Sequence, residues 1–144
     1  MESRITLLTL GVADLPRSIS FYRDGLGFRL SGASTQEVAF FHAGGVVLAL
    51  FPRHLLAEDA GLEDEPGGGG FRGITLAHNV REREQVDAAL AQAEGAGATV
   101  TKPAQDAAWG GRSGYFRDPD GHLWEVAWNP GLPLGPDGTM TLPD

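Results

Sequence analysis

A chain of 144 residues, 42% hydrophobic and 21% charged, can bury one ordinary core and does not have a disordered composition. Its net charge of −8 argues against nucleic acid and anionic membrane surfaces as partners, since both repel an acidic protein. The absence of cysteine excludes disulfides, thiolate metal sites and a cysteine nucleophile.

The first residues, Met1 to Arg4, lead straight into a strand-like run. They lack the basic start and long apolar stretch of a signal peptide. No segment approaches the roughly 18 continuous apolar residues of a membrane span. A cytoplasmic location is therefore expected, which the lack of cysteine suits.

The run "ITLLTLGV", Ile5 to Val12, reads as a strand. Asp14 follows as a helix cap, and Pro16 falls in the first turn, where a missing N–H costs little. Leu15, Ile19, Tyr22 and Leu26 then recur as the apolar stripe of a helix that Gly25 and Gly27 end. Phe28 to Ser31, Glu37 to Phe41 and Val46 to Phe51 are strand candidates. The last two are joined through a hairpin turn at His42 to Gly45. From Pro52 to Gly70 the chain changes character: a helical turn over His54 to Ala60 precedes "GLEDEPGGGG", an acidic, glycine-rich linker or loop.

The second half repeats the first. Ile74 to Val80 is a strand, and Val86, Ala89, Leu90, Ala93 and Gly97 form a second helical stripe. Strand candidates follow at Ala98 to Lys102, Arg112 to Arg117 and Leu123 to Trp128. Each half is β-α-β-β-β, so the expected class is α+β, one domain over 1–144. Module one spans about 4–52, the linker 53–71, module two 72–130 and the tail 131–144. The tail is rich in Pro and Gly; it either packs loosely or crosses to a partner.

The duplicated unit resembles the vicinal oxygen chelate superfamily, which includes glyoxalase I, extradiol dioxygenases, fosfomycin-resistance enzymes and bleomycin-resistance binding proteins. Two stretches carry the resemblance: "LGVADLPRSISFYRDGLGF", Leu10 to Phe28, and "GYFRDPDGHLWEVAW", Gly114 to Trp128. The resemblance implies that each module curls a mixed sheet into a half-open cup with helices outside. It further implies a cavity in the cup, where the enzymes of the family commonly hold one divalent metal. Such ligands sit on the first and last strand of each module and are usually His, Gln or Glu.

Carried over by position, those four places are Leu7, Ala49, Thr75 and Glu125. Only Glu125 is a good ligand, and a catalytic zinc generally needs about three. The expectation is a metal-free chain without cofactor. Leu7, Ala49, Phe51, Thr75, Trp109, Ser113, Tyr115 and Glu125 are then the candidate ligand-binding residues, and no residue is assigned as catalytic unless Glu125 is a general base. Three readings of Glu125 stand side by side: a former ligand place facing water, a hydrogen-bond partner or base for a ligand, or an ion pair with Arg112, Arg117 or another chain. Trp109 either stacks on a flat ligand or forms a lid or dimer contact. Asp118-Pro119-Asp120-Gly121 is turn chemistry. Trp124 is assigned to the core. Of the histidines, His78 is expected opposite the Thr75 side, His42 in a hairpin turn, His54 in the loop and His122 at a strand start.

The function these readings imply is metal-independent sequestration of an apolar or aromatic drug or natural product, as in the bleomycin-resistance relatives, by a homodimer. The alternative is a glyoxalase-like or dioxygenase-like enzyme, a lyase or isomerase, using Glu125.

Overall fold

The computed structural model describes residues 3–65, 70–140 and 142. Residues 1–2, the linker residues 66–69, and tail residues 141, 143 and 144 lie outside the described residues. The chain divides into two compact units, Met1–Gly70 and Phe71–Asp144.

The first unit contains β1 (Leu7–Val12), α1 (Leu15–Ser20), a π-helical turn (Phe21–Gly25), β2 (Arg29–Leu30), β3 (Ala39–Ala43), β4 (Val46–Pro52) and α2 (Arg53–Asp59). The second contains β5 (Leu76–Asn79), α3 (Gln85–Gly95), β6 (Thr99–Asp106), β7 (Arg112–Arg117) and β8 (Leu123–Trp128). The two sheets have the same topology, β1-β4-β3-β2 and β5-β8-β7-β6. In each, the outer first strand runs parallel to the last strand and the remaining pairs are antiparallel. The α+β duplication expected from the sequence is the observed fold, with open, curved sheets.

In the first unit, alternation sends Leu10, Val12, Leu48, Leu50, Phe41 and Ala39 to one face, where all are buried. The Asp14 carboxylate caps α1 by accepting from the Arg17 amide at 3.0 Å, a contact worth about 1 kcal/mol. The regular stripe then breaks down. The Leu26 amide donates to the Phe21 carbonyl at 2.9 Å, five residues back. A π turn inserts one residue and rotates the face. Leu15, Ser18, Phe21 and Tyr22 are buried instead of the expected Leu15, Ile19, Tyr22 and Leu26. Tyr22 thereby reaches Phe28 and Phe41, with ring centroids 5.8 and 6.0 Å away.

In the second unit, Val86, Leu90 and Ala93 of α3 are buried. Leu90 packs over Gly114, where an added Cβ would lie 2.5 Å from Leu90 Cδ1. This fixes Gly114, Phe116, Trp124 and Val126 as the helix-facing set, and Phe116 and Trp124 stack at 6.1 Å. Trp124 is in the core, as its alternation with Glu125 implies. Arg112 shares that face and clamps α3: it donates to Asp87 at 2.8 and 2.9 Å and to Asp106 at 3.2 Å. Arg83 also reaches Asp106. Arginine hydrogen bonds, from Arg112 first for Asp87 and from Arg83 first for Asp106, hold both carboxyls below the usual carboxylate value. Such groups stabilise the fold above the unfolded carboxylate pKa near 4 and lose that contribution as pH falls below it. Arg112→Met should therefore lower the urea midpoint at pH 7, and the gap to the wild type should narrow at pH 3. The pairs are exposed, so the change is modest.

The described part of the tail turns back on its own unit. The Arg81 guanidinium donates to the carbonyls of Leu134, Gly135 and Pro136 at 3.3, 2.8 and 3.1 Å. A bridge joins Leu134 to Met140. Loose packing, one of the two expectations for this segment, is replaced by a specific anchor that sequence patterning could not pair across 53 residues. The helical turn expected at His54 to Ala60 is the helix α2, on the sheet face away from α1. An added Cβ on Gly11 would lie 2.9 Å from Arg53 Cβ, and Gly11 pairs with Phe51. One helix therefore sits on the face expected to be open, tied by an Arg53–Asp64 ion pair of 2.6 Å.

Candidate functional site

The face of the second sheet opposite α3 gathers most of the polar candidates. Its strand register sets two lateral rows. Ala77 pairs with Glu125, Glu125 with Tyr115, and Tyr115 with Lys102. In the next row Asn79 pairs with Ala127, Ala127 with Ser113, and Ser113 with Gln105. Directly opposed side chains on one face lie about 5 Å apart at Cβ, close enough to interact.

They do interact. Tyr115 and Glu125 are directly opposed across β7 and β8, and the carboxylate acts on the phenol. Burial first, then the neighbouring Glu125 carboxylate as acceptor and as negative charge, push the phenol above its ordinary value of about 10. Glu125 therefore faces Tyr115. Arg112, one of its proposed partners, lies on the opposite face with Asp87. A phenol whose folded pKa is raised stabilises fully below the unfolded value and loses that contribution as pH rises through the folded one. In an ultraviolet tyrosinate titration, with Tyr115→Phe used to subtract Tyr22, the Tyr115 transition should lie above pH 10. Glu125→Gln should bring it down, because the carboxylate's charge is gone.

Lys102 completes the row. Its Nζ lies 5.6 Å from the Tyr115 ring centroid, a cation–π contact. Simple alternation would place Thr101 opposite Tyr115. Register shifts between Val100 and Lys102, and again between Lys102 and Gln105, replace it with Lys102 and then Gln105. A bulge of this kind re-aims side chains; β6 runs on to Asp106 past the expected end at Lys102, and the only cue in the sequence is Pro103 just beyond that end.

The other candidates of this unit are spread along the same surface. Gly111 continues the alternation of Ser113 and Tyr115, and the Trp109 ring occupies the space a Gly111 side chain would take. Trp109 is 51% exposed, so its far side is open to contact. Ser113 is buried, which leaves its side chain closed to solvent in this form. Thr75 precedes β5 and is exposed. His78 pairs in register with Val126, on the α3 face. Water reaches it, yet the surrounding protein lowers its pKa by desolvation. His42 is paired within β3 and not in the turn, which is confined to Gly44 and Gly45.

In the first unit, the equivalent face carries Leu7, Ala49 and Phe51. Leu7 is 44% exposed, Ala49 is buried and Phe51 lies between these limits. The contact between α2 and Gly11 closes the Phe51 end. Ala49 and Ser113 thus contribute packing in this form, and Leu7, Thr75, Trp109, Tyr115 and Glu125 keep accessible surface.

The donor set can be tested against a metal directly. Leu7 and Ala49 are hydrocarbon, Thr75 offers a hydroxyl, and Glu125 alone offers a carboxylate. Among the described residues no three His, Cys, Asp or Glu side chains are grouped to hold an ion. These four residues do not fit a catalytic divalent metal.

The model of the Glyoxalase/Bleomycin resistance protein/Dioxygenase superfamily matches residues 4–126. The chain belongs to this superfamily. The uncharacterized protein YraH of Bacillus subtilis (strain 168) is 30% identical over 125 residues, covering 85% of this chain and 96% of its own. A crystal structure of a glyoxalase-related enzyme from Fulvimarina pelagi is 35% identical, with a TM-score of 0.89 over 99% of this chain and 100% of that one. The lactoylglutathione lyase of Agrobacterium tumefaciens is 26% identical, with a TM-score of 0.66 over 89% and 95% of the two chains. Among the described residues no helix is long and apolar enough to cross a membrane.

Proposed function

We propose that this glyoxalase-superfamily chain binds a small ring-containing molecule on the second-sheet face without a metal, sequestering it as a drug or natural product. One observation carries the reading: of the four places where metal ligands are expected, only Glu125 offers a strong donor, and its strand register sets it opposite Tyr115. Tyr115 and the half-exposed Trp109 supply aromatic surface, and the carboxylate supplies orientation, the combination typical of small-molecule sites. The reading includes a cytoplasmic homodimer, the assembly that resemblance to the bleomycin-resistance proteins implies.

A second reading is favoured by the likeness to the glyoxalase-related enzyme of Fulvimarina pelagi. In it, Glu125 is a general base and the Tyr115 hydroxyl holds it in place.

Elemental analysis of protein purified without chelator, followed by titration of the same sample with aromatic antibiotics under tryptophan fluorescence, separates the readings. Sequestration predicts substoichiometric metal and saturable quenching that survives dialysis against chelator. Stoichiometric nickel, zinc, iron or manganese overturns it. If the chain is an enzyme, Glu125→Gln abolishes turnover and leaves binding in place.

A further inference from the structure

We propose that Lys102 determines specificity at the second-sheet face, so that the face selects a flat molecule with an N–H donor, such as an amine, at one end and a carboxylate at the other. This rests on the reading of that face as a binding site and goes beyond it by naming the ligand's charge pattern.

The argument starts from the register. The bulge in β6 places Lys102, and not Thr101, opposite Tyr115. The row across the sheet is therefore ammonium, phenol, carboxylate and methyl, from Lys102 through Tyr115 and Glu125 to Ala77. Each polar member has a defined role left for a ligand. The Glu125 carboxylate, directly opposite Tyr115, has only lone pairs to offer, so this end of the row accepts from N–H groups. Lys102 has three donors and no acceptor, and its ammonium is held 5.6 Å from the ring centroid. Lys102 and Tyr115 are both half-buried, and a cation–π contact is weak beside a charge-assisted hydrogen bond. An incoming carboxylate can therefore draw the ammonium from the ring at little cost. The ring face so released is a platform between the two charges. Ala77 ends the row with a methyl group and offers no competing charge. The two charges of the row thus favour a ligand of opposite polarity, with its cation over Glu125 and its anion over Lys102.

The test uses the full-length protein, isotopically labelled, and three matched probes followed by amide resonance shifts: benzylamine, benzoate and 4-(aminomethyl)benzoate. The bifunctional probe is expected to bind at least tenfold more tightly than either half, with shifts centred on β7 and β8. Lys102→Met, which keeps the aliphatic stem, should remove most of that tenfold gain and leave benzylamine affinity unchanged. Glu125→Gln should do the reverse, leaving benzoate affinity unchanged. Equal affinity for benzylamine and the bifunctional probe overturns the role of Lys102 while leaving a binding face. An equal loss for all three probes in Lys102→Met overturns it as well, since that marks a structural role. If none of the probes moves any resonance of β7 or β8, both the inference and the binding face fail together.

Discussion

Replacing Gly114 with valine should destabilise the second unit by about 3 kcal/mol or more, at the upper end of overpacking effects. Three neighbours surround the position an added Cβ would take: Leu90 Cδ1 at 2.5 Å, the Lys102 carbonyl oxygen at 2.9 Å and the Ala104 amide nitrogen at 3.0 Å. Leu90 can change rotamer, but the other two are backbone atoms of β6, fixed by its pairing with β7. Relief requires β6 to move, and β6 carries Lys102. The substitution should therefore lower the denaturation midpoint and also perturb the Lys102–Tyr115 contact. Gly11→Val offers a contrast. Its obstruction is Arg53, at 2.9 Å from Cβ and 3.1 Å from Cα, in a seven-residue helix with no buried residue. That helix can shift outward, so the cost should be clearly smaller. Urea unfolding of both variants, followed by circular dichroism, checks the ranking. Equal midpoints for Gly114→Val and wild type would show that β6 yields freely.

The elements with strong local punctuation were legible in the sequence. β7 and β8 have the bounds expected, since Asp118 and Gly121 confine the turn between them. The Asp118 carboxylate is buried and accepts from the amides of Asp120 and His122 at 3.0 and 2.8 Å, and Gly121 takes a φ of 90° that favours glycine. This turn is structural, as its composition implies, and it fixes which face Glu125 occupies. Departures from a regular period were not legible. The π turn at Phe21–Gly25 breaks the 3.6-residue stripe, and the β6 bulge breaks the two-residue alternation. Each moved a residue the pattern assigns elsewhere, Phe21 into the core and Lys102 onto the candidate site. The partner of Glu125 was beyond pattern reasoning for a different reason. The sequence marks Tyr115 as a lining residue, but its pairing with Glu125 needs the antiparallel register of β7 and β8, which is fixed only by the hairpin geometry.

Phe41→Ala should produce the other large loss, about 3–5 kcal/mol, the range for truncating a fully buried aromatic. Phe41 is 1% exposed and lies centrally on β3. It pairs in register with Leu48 and meets Tyr22 at 6.0 Å and Phe28 at 6.4 Å between ring centroids. Aromatic edge and tilted contacts add to the area term, so both are forfeited together. The cavity cannot close easily. Tyr22 is fully buried and anchored by the π turn, and the Phe28 amide is held by the Tyr22 carbonyl at 2.9 Å. Neither ring is free to fill the space. Phe41→Leu keeps most of the volume and should recover more than half of the loss, although no aromatic contact remains. Amide hydrogen exchange locates the effect: protection should fall first in β3 and β4, and then in β1, which pairs with β4. Unchanged protection in β4 would mean that the neighbouring side chains repack, and that the aromatic cluster is not what holds the first sheet to its helix.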